Sequence, residues 1–266
     1  VGLKPTCGRV SLAGDTACFG SSVDVVGPIA ATAQDAALIM SFISERDQED
    51  PLSIHSPPLV LDNLLQISQD FDLSGIKIGI YEPWFNDAPK GIVKACRDMV
   101  TLLEEKGATV VDIEIPELDL MVPAHVIAIT SEMYGDVHSD IRVNPSSFTH
   151  PTRMLFALTG DHSAQDYLQS GKVRTRMMTH FQRALESVDL IITPANGTVA
   201  PLVPYLSDSQ EESDINKQDS IMRFMHGANL TGLPACVFPV AYTDNNLPIS
   251  IQCIGNAWKE DVLLRA

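Results

Sequence analysis

The chain has 266 residues, and 34 acidic against 18 basic residues give it a formal net charge of −16. Because affinity for nucleic acids and for anionic lipid depends on clustered basic residues, this balance argues against both kinds of partner. A hydrophobic fraction of 45% and a charged fraction of 20% are ordinary for a globular protein of one large domain.

The first predicted elements are a capped helix and a strand-helix-strand unit. Residues 32–35 (Thr-Ala-Gln-Asp) match a capping box before a helical run that ends near Ser44. The proline-rich residues 49–58 predict a surface connection that is not helical throughout. Residues 76–80 and 111–115 alternate like strands, and between them an apolar helical stripe ends at Gly107. This order predicts a parallel pair of strands with a crossover helix.

Further elements predict a sheet with helices on either side. We expect a helix at 164–187, a buried strand at 189–192, a helix at 221–229, two strands at 235–242 and 247–254 joined by a turn at 244–246, and a helix that starts near residue 259. The predicted fold is α/β, with a mixed, largely parallel central sheet covered by helices on both faces. The acidic residues 206–219 are interpreted as a solvated loop, with a lid over a nearby site as the alternative.

The cysteines indicate a reducing environment. They are odd in number, widely spaced and without a Cys-x-x-Cys pair: Cys7, Cys18, Cys96, Cys236 and Cys253. This pattern predicts reduced thiols that fill the core, and an intracellular location, cytoplasmic or on an internal membrane. No stretch approaches the roughly 20 apolar residues of a membrane span. Membrane attachment and a homodimer are both left open.

The familiar catalytic and metal-binding patterns are absent from the sequence. It has no Gly-x-Ser-x-Gly elbow, no His-Glu-x-x-His, no calcium loop and no Gly-rich phosphate loop, and its histidines do not cluster. We therefore expect no metal site. Residues 20–22 (Gly-Ser-Ser) are interpreted as a structural turn, and nothing local favours a Ser-His-Asp triad, although triads assemble in space.

The candidate substrate site lies where a predicted strand ends. In open α/β sheets ligands bind beyond the carboxyl ends of strands, and residues 193–201 form a proline-stiffened loop at such an end. The helical residues 221–225 carry methionines, which either belong to the core or form a pliable apolar wall. Residues 118–129 are a second candidate wall. The residues expected to contact substrate are Thr193, Asn196, Gly197, Thr198, Ile221, Met222 and Met225.

Several motifs resemble the amidase signature family, in order along the whole chain. They are Gly-Leu-Lys-Pro-Thr at residues 2–6, Val-Gly-Pro-Ile-Ala at 26–30, the segment 47–53, Ala-Asn-Leu-Thr-Gly-Leu-Pro-Ala at 228–235, and Leu-Pro-Ile-Ser-Ile-Gln at 247–252. In that family a Ser-Ser-Lys relay precedes the first of these motifs. The resemblance thus implies that residues 1–266 are the C-terminal part of a single amidase-signature domain. It also implies that the catalytic residues lie upstream of Val1 and that the isolated chain is inactive.

A narrower set of segments resembles plant-type fatty acid amide hydrolases: residues 84–87, 116–118, 124–127, 166–167, 193–201 and 222–224. The chain departs from these relatives at Asn196 and in the acidic segment. This resemblance implies hydrolysis of a small, lipid-like amide such as an N-acylethanolamine, without a cofactor. An upstream serine would attack the amide carbonyl, and backbone N–H groups would hold the oxyanion.

Two other functions remain open. The chain could belong to the amidase subunit of a glutamyl-tRNA(Gln) amidotransferase or to another amidase, or it could be a non-catalytic orphan fragment. Acylethanolamide hydrolysis, compared with glutaminase activity, separates the first two hypotheses. The third depends on whether an upstream half exists in the same reading frame.

Overall fold

The computed structural model describes residues 1–14, 22–59, 72–203 and 214–265. Cys18, Gly20, Ser21 and most of the acidic segment 206–219 therefore lie outside the described residues. The strands are β1 to β6 in chain order, at Gly2–Lys4, Lys77–Ile80, Thr109–Asp112, Leu190–Pro194, Ala235–Tyr242 and Pro248–Gly255. The helices are α1 to α9, at Ala33–Ile43, Glu82–Phe85, Lys90–Glu105, Met121–Val143, His150–Thr159, Ala164–Leu185, Ile215–Met222, His226–Thr231 and Glu260–Arg265.

The strands join one mixed sheet in the order β1-β5-β6-β4-β2-β3. β2 pairs in parallel with β3 and β4, which confirms the predicted crossover through α3. The neighbouring pairs β4–β6, β5–β6 and β1–β5 are antiparallel. The prediction of a mixed sheet is thus confirmed. The sheet is not largely parallel, however, because these three pairs are antiparallel. The short turn between β5 and β6 explains part of the difference, since a parallel pair requires a much longer crossover.

Helices cover both faces of the sheet, as predicted. Side chains alternate along β4, so Leu190 and Ile192 belong to a core with α1, α3 and α9. Ile191, which lies between them, belongs to a second core with α4, α6 and α8. The cysteines Cys96, Cys236 and Cys253 are buried with free thiols, and the free thiol of Cys7 is half-buried.

Two helices begin with a side-chain cap, and the cap of α1 was predicted. The hydroxyl of Thr32 accepts a hydrogen bond from the Asp35 N–H at 3.0 Å, and α1 ends at its C-cap Ser44. Ser163 and Asp166 form a reciprocal capping box at the start of α6. In the described ranges, no helix has the combination of length and apolar character that crossing a bilayer requires.

One of two local predictions is wrong. Residues 221–229 are not one helix: α7 ends at Met222 and α8 begins at His226. Between them, the Phe224 carbonyl accepts a hydrogen bond from the buried Gln252 amide at 2.9 Å. Residues 49–58 form the predicted surface connection: most of them are exposed, and the helical part is a 3₁₀ turn at Ser53–His55. Ser53 itself is fully buried, and its hydroxyl accepts a hydrogen bond from the Asp47 N–H.

Candidate substrate-binding site

A cavity of about 460 Å³ lies on the sheet face that carries α4, α6 and α8. Its floor includes Lys4 of β1, Val237 of β5 and Gln252 of β6. These side chains share one face because Val237 is paired with both Gly2 and Gln252 across the antiparallel ladder. The walls come from residues 25–29, α4 and the α7–α8 segment.

The carboxyl end of β4 opens into this cavity, as the strand-end argument predicts. Ala195 and Asn196, directly after β4, line it. Thr193 does not, because it is buried at 1% exposure. Its hydroxyl instead accepts a hydrogen bond from the Gln252 amide at 3.0 Å. Thr193 therefore orients Gln252, which does line the cavity.

Asn196 and Gly197 fasten the loop after β4 to α7. The Asn196 amide donates to the Ile221 carbonyl at 3.0 Å. A Cβ atom on Gly197 would lie 2.4 Å from the Ser220 carbonyl oxygen, so only glycine permits this approach. Gly197 thus supports the cavity wall without lining it.

The two methionines expected as a wall, Met222 and Met225, both line the cavity and are 38% and 37% exposed. Ile221 takes part through its carbonyl, as the partner of Asn196. Thr198 does not line the cavity, and its hydroxyl donates to the neighbouring Val199 carbonyl at 3.2 Å. Of the seven predicted residues, Asn196, Met222 and Met225 therefore line the cavity together.

The second predicted wall, residues 118–129, divides between three environments. Met121 is 1% exposed and belongs to the core with Phe181, and so it forms no wall. Val122 lines a separate surface depression beside Arg223. His125 and Ile129, one helical turn apart on α4, line the cavity.

Sequence reasoning missed most of the polar side chains of the cavity. Lys4, His125, His226, Asn229 and Gln252 all line it. Lys4, Asn229 and Gln252 fall inside the motifs that carry the family resemblance, and His125 falls inside the segment 124–127 that resembles fatty acid amide hydrolases. These motifs are the signal that could have identified them. The histidines lie on different helices, and no local pattern connects them.

Burial governs the charge of this polar set. Desolvation lowers the pKa of Lys4 to about 8, and its ammonium donates to the Pro5 carbonyl at 3.1 Å. Desolvation also lowers the pKa of His125, and that of His226 to about 4. Both imidazoles are consequently neutral at pH 7. Within the described ranges, no group of three or more His, Cys, Asp or Glu side chains could hold a metal ion.

Residues 22–29, which close one side of the cavity, are anchored by charged groups of α4 and α6. The Ser22 hydroxyl donates to Glu132 at 2.7 Å, and Arg174 donates to the Ser22 carbonyl at 2.6 Å. The Tyr167 hydroxyl donates to the same Glu132 carboxylate at 2.8 Å. Ser22 is therefore an anchor, which agrees with the structural role expected of it.

Comparison with known proteins identifies relatives of this arrangement. The model of the amidase family matches residues 1–264. A fatty acid amide hydrolase of Oryza sativa is 37% identical over 268 residues, which cover 100% of this chain and 44% of the rice protein. A glutamyl-tRNA(Gln) amidotransferase subunit of Coxiella burnetii is 31% identical over 297 residues, which cover 99% of this chain and 57% of that protein.

A solved structure supports the same fold. The corresponding glutamyl-tRNA(Gln) amidotransferase subunit of Thermotoga maritima superposes with a TM-score of 0.81 at 28% identity. The match covers 99% of this chain and 55% of that chain. The chain thus spans about half of the length of the relatives that it matches.

Proposed function

The chain belongs to the amidase family, and we propose that it forms part of the substrate-binding site of a serine amidohydrolase that acts on fatty acid amides. N-acylethanolamines are the proposed substrates, with a free fatty acid and an amine as products. The identity of 37% to a fatty acid amide hydrolase over the whole chain supports this choice.

The observation that carries the proposal is the mixed lining of the cavity. Met222 and Met225 present flexible apolar surface, while His125, Asn229 and Gln252 present polar groups. A fatty acid amide has the same division, because a long apolar chain is joined to a polar amide and amine. Ligand sites commonly combine apolar walls with a few placed polar groups in this way.

In the proposed reaction, this chain binds and orients the amide. A serine outside the chain attacks the amide carbonyl, a lysine acts as base through a bridging serine, and backbone N–H groups stabilise the oxyanion. No side chain of residues 1–266 is assigned a chemical step, and no cofactor takes part. We place the protein inside the cell, because the buried cysteines carry free thiols.

Fluorophosphonate labelling tests this proposal. The probe is applied to residues 1–266 and to the longest natural polypeptide that contains them, and hydrolysis of an N-acylethanolamine is measured on both. We expect labelling and hydrolysis with the longer polypeptide only. Labelling of residues 1–266 would place the nucleophile within this chain and would overturn the assignment of roles.

The identity of 31% to an amidotransferase subunit favours a second candidate function, the release of ammonia from glutamine within a multi-subunit enzyme. That function requires partner subunits, so co-purification and a glutaminase assay address it. Glutamine turnover without fatty amide turnover would favour this candidate over the first.

A further inference from the structure

Residues 22–29, the wall segment, form one side of the cavity and are held at both ends. The lining residues of this segment are Val25, Gly27, Pro28 and Ile29. Its C-terminal end is joined to β1 through the backbone. The Leu3 N–H donates to the Pro28 carbonyl at 3.0 Å, and an isolated antiparallel bridge joins Gly2 to Ile29. Backbone groups thus fix this end of the wall segment.

The N-terminal end of the wall segment is attached through the polar groups of Ser22. The Ser22 hydroxyl donates to Glu132 Oε1 at 2.7 Å and accepts from Arg174 Nη1 at 2.9 Å. Its N–H donates to Glu132 Oε2 at 3.3 Å, and its carbonyl accepts from Arg174 Nη2 at 2.6 Å. Hydrogen bonds to ionised groups are stronger than those between neutral groups. A carboxylate and a guanidinium therefore hold this end.

Glu132 connects the wall segment to two helices that pack behind it. It lies on α4, one helical turn after the cavity-lining Ile129. The Oε1 atom that accepts from Ser22 also accepts from the Tyr167 hydroxyl of α6, at 2.8 Å. The carboxylate thus accepts hydrogen bonds from the hydroxyl and the N–H of Ser22 and from Tyr167. Next to Ser22, the Val23 carbonyl accepts the Asn229 amide of α8 at 2.8 Å.

We infer that Glu132 is a positioning residue for the amide-binding site: through Ser22 it holds the wall segment where that segment lines the cavity. This inference rests on the proposed function and deepens it. A wall segment released at one end occupies its binding position for only part of the time, and the apparent affinity for substrate falls by that fraction. No reacting group is assigned to the wall segment, so the chemical step should change little.

The test removes the contact from either side, in the longest natural polypeptide that contains this chain. Ser22→Ala deletes the hydroxyl, and Glu132→Gln removes the charge of its partner. Ser22→Thr is the conservative variant, because it keeps a hydroxyl on Cβ. Glu117→Gln is the matched control, since the Glu117 carboxylate also binds α6, where Arg176 donates to it at 2.7 Å.

For hydrolysis of an N-acylethanolamine, we expect KM to rise about tenfold in Ser22→Ala and in Glu132→Gln, with kcat largely retained. This is the size of effect expected for one lost hydrogen bond to a charged group. The double variant should be no worse than the more affected single variant, because both changes remove the same contact. Ser22→Thr and the control should keep the KM of the wild type.

Two kinetic outcomes overturn the inference. A fall in kcat at unchanged KM in both single variants would mean that the contact stabilises the fold without positioning the wall segment. Wild-type kinetics in both variants would mean that the contact does neither. If glutamine is hydrolysed in place of fatty amides, the proposed substrate class fails, and the same comparison of KM with glutamine decides the inference.

Hydrogen exchange of the backbone amides gives a readout that does not depend on turnover. In Ser22→Ala and Glu132→Gln we expect faster exchange confined to the wall segment, and in Glu117→Gln we expect the wild-type pattern. If no amide is hydrolysed, the proposed function fails and exchange alone decides the inference. Exchange of the wall segment that is unchanged, or that is faster only as part of a general increase along the chain, overturns it.

Discussion

The Arg9 guanidinium lies 3.0 Å from the Glu260 carboxylate, and the two side chains are 1% and 0% exposed. The backbone N–H and hydroxyl of Thr6 donate to the same carboxylate at 2.9 and 2.7 Å. Burial alone would raise the pKa of Glu260, but the hydrogen bonds from Thr6 and Arg9 outweigh it and lower the pKa below its ordinary value. This network fastens the segment after β1 to α9.

Replacement of this carboxylate should be strongly destabilising. Glu260→Gln leaves the Arg9 charge buried and unpaired, which costs about 3–5 kcal/mol of unfolding free energy. The matched control is Glu117→Gln, because Glu117 pairs with Arg176 at the surface, where an ion pair contributes about 0–1 kcal/mol. Urea denaturation of both variants measures the difference, and equal losses would contradict the assigned role of burial.

Met222 should control the length of the acyl chain that the cavity accepts. Met222→Trp fills part of the cavity, so we expect kcat/KM in the longest natural polypeptide to fall at least tenfold for long-chain amides and to change little for short ones. Met178→Trp is the control, because Met178 is 48% exposed on α6 and does not line the cavity. An equal loss on short and long amides would contradict the proposed wall.

The close approach of Gly197 to α7 predicts opposite effects for two glycine substitutions. Gly197→Ala forces a Cβ against the Ser220 carbonyl, and we expect a destabilisation of about 1–3 kcal/mol. In Gly171→Ala, the added Cβ lies within α6 and meets nothing within 4 Å, so we expect stabilisation by up to about 1 kcal/mol. Thermal melts of both variants test the signs, and two changes of the same sign would refute the steric argument.

The neutral histidine pair predicts acid sensitivity in a defined window. Burial lowers the pKa of His226 from 6.5 to about 4. Between these values the unfolded chain binds a proton that the folded chain does not. Stability is therefore fully present above pH 6.5 and falls as the pH drops toward 4. His226→Asn should flatten this dependence of the melting temperature. An unaltered slope in His226→Asn would show that another group dominates.

Local patterns in the sequence were sufficient for much of the fold. The alternation at residues 76–80, the stripe of α3 and the capping residue Thr32 act between near neighbours, and each of these predicted elements was found. The break between α7 and α8 was missed, and the Phe224 carbonyl within it accepts a hydrogen bond from Gln252 of a distant strand. A hydrogen bond of that kind leaves no periodic trace in the sequence.

By itself, the sequence determined the amidase family and the parallel β2–β3 unit, and it marked the loop after β4 as a candidate site; it left the methionines open between core and cavity wall. Tertiary structure alone decided that His125, His226 and Lys4 meet there. It also decided that Thr193 and Gly197 act from behind the cavity wall. The physical reason is that propensity and periodicity report forces between residues a few positions apart. The cavity instead depends on strand pairing and helix packing that join residues far apart in the chain, such as Asn229 with His125.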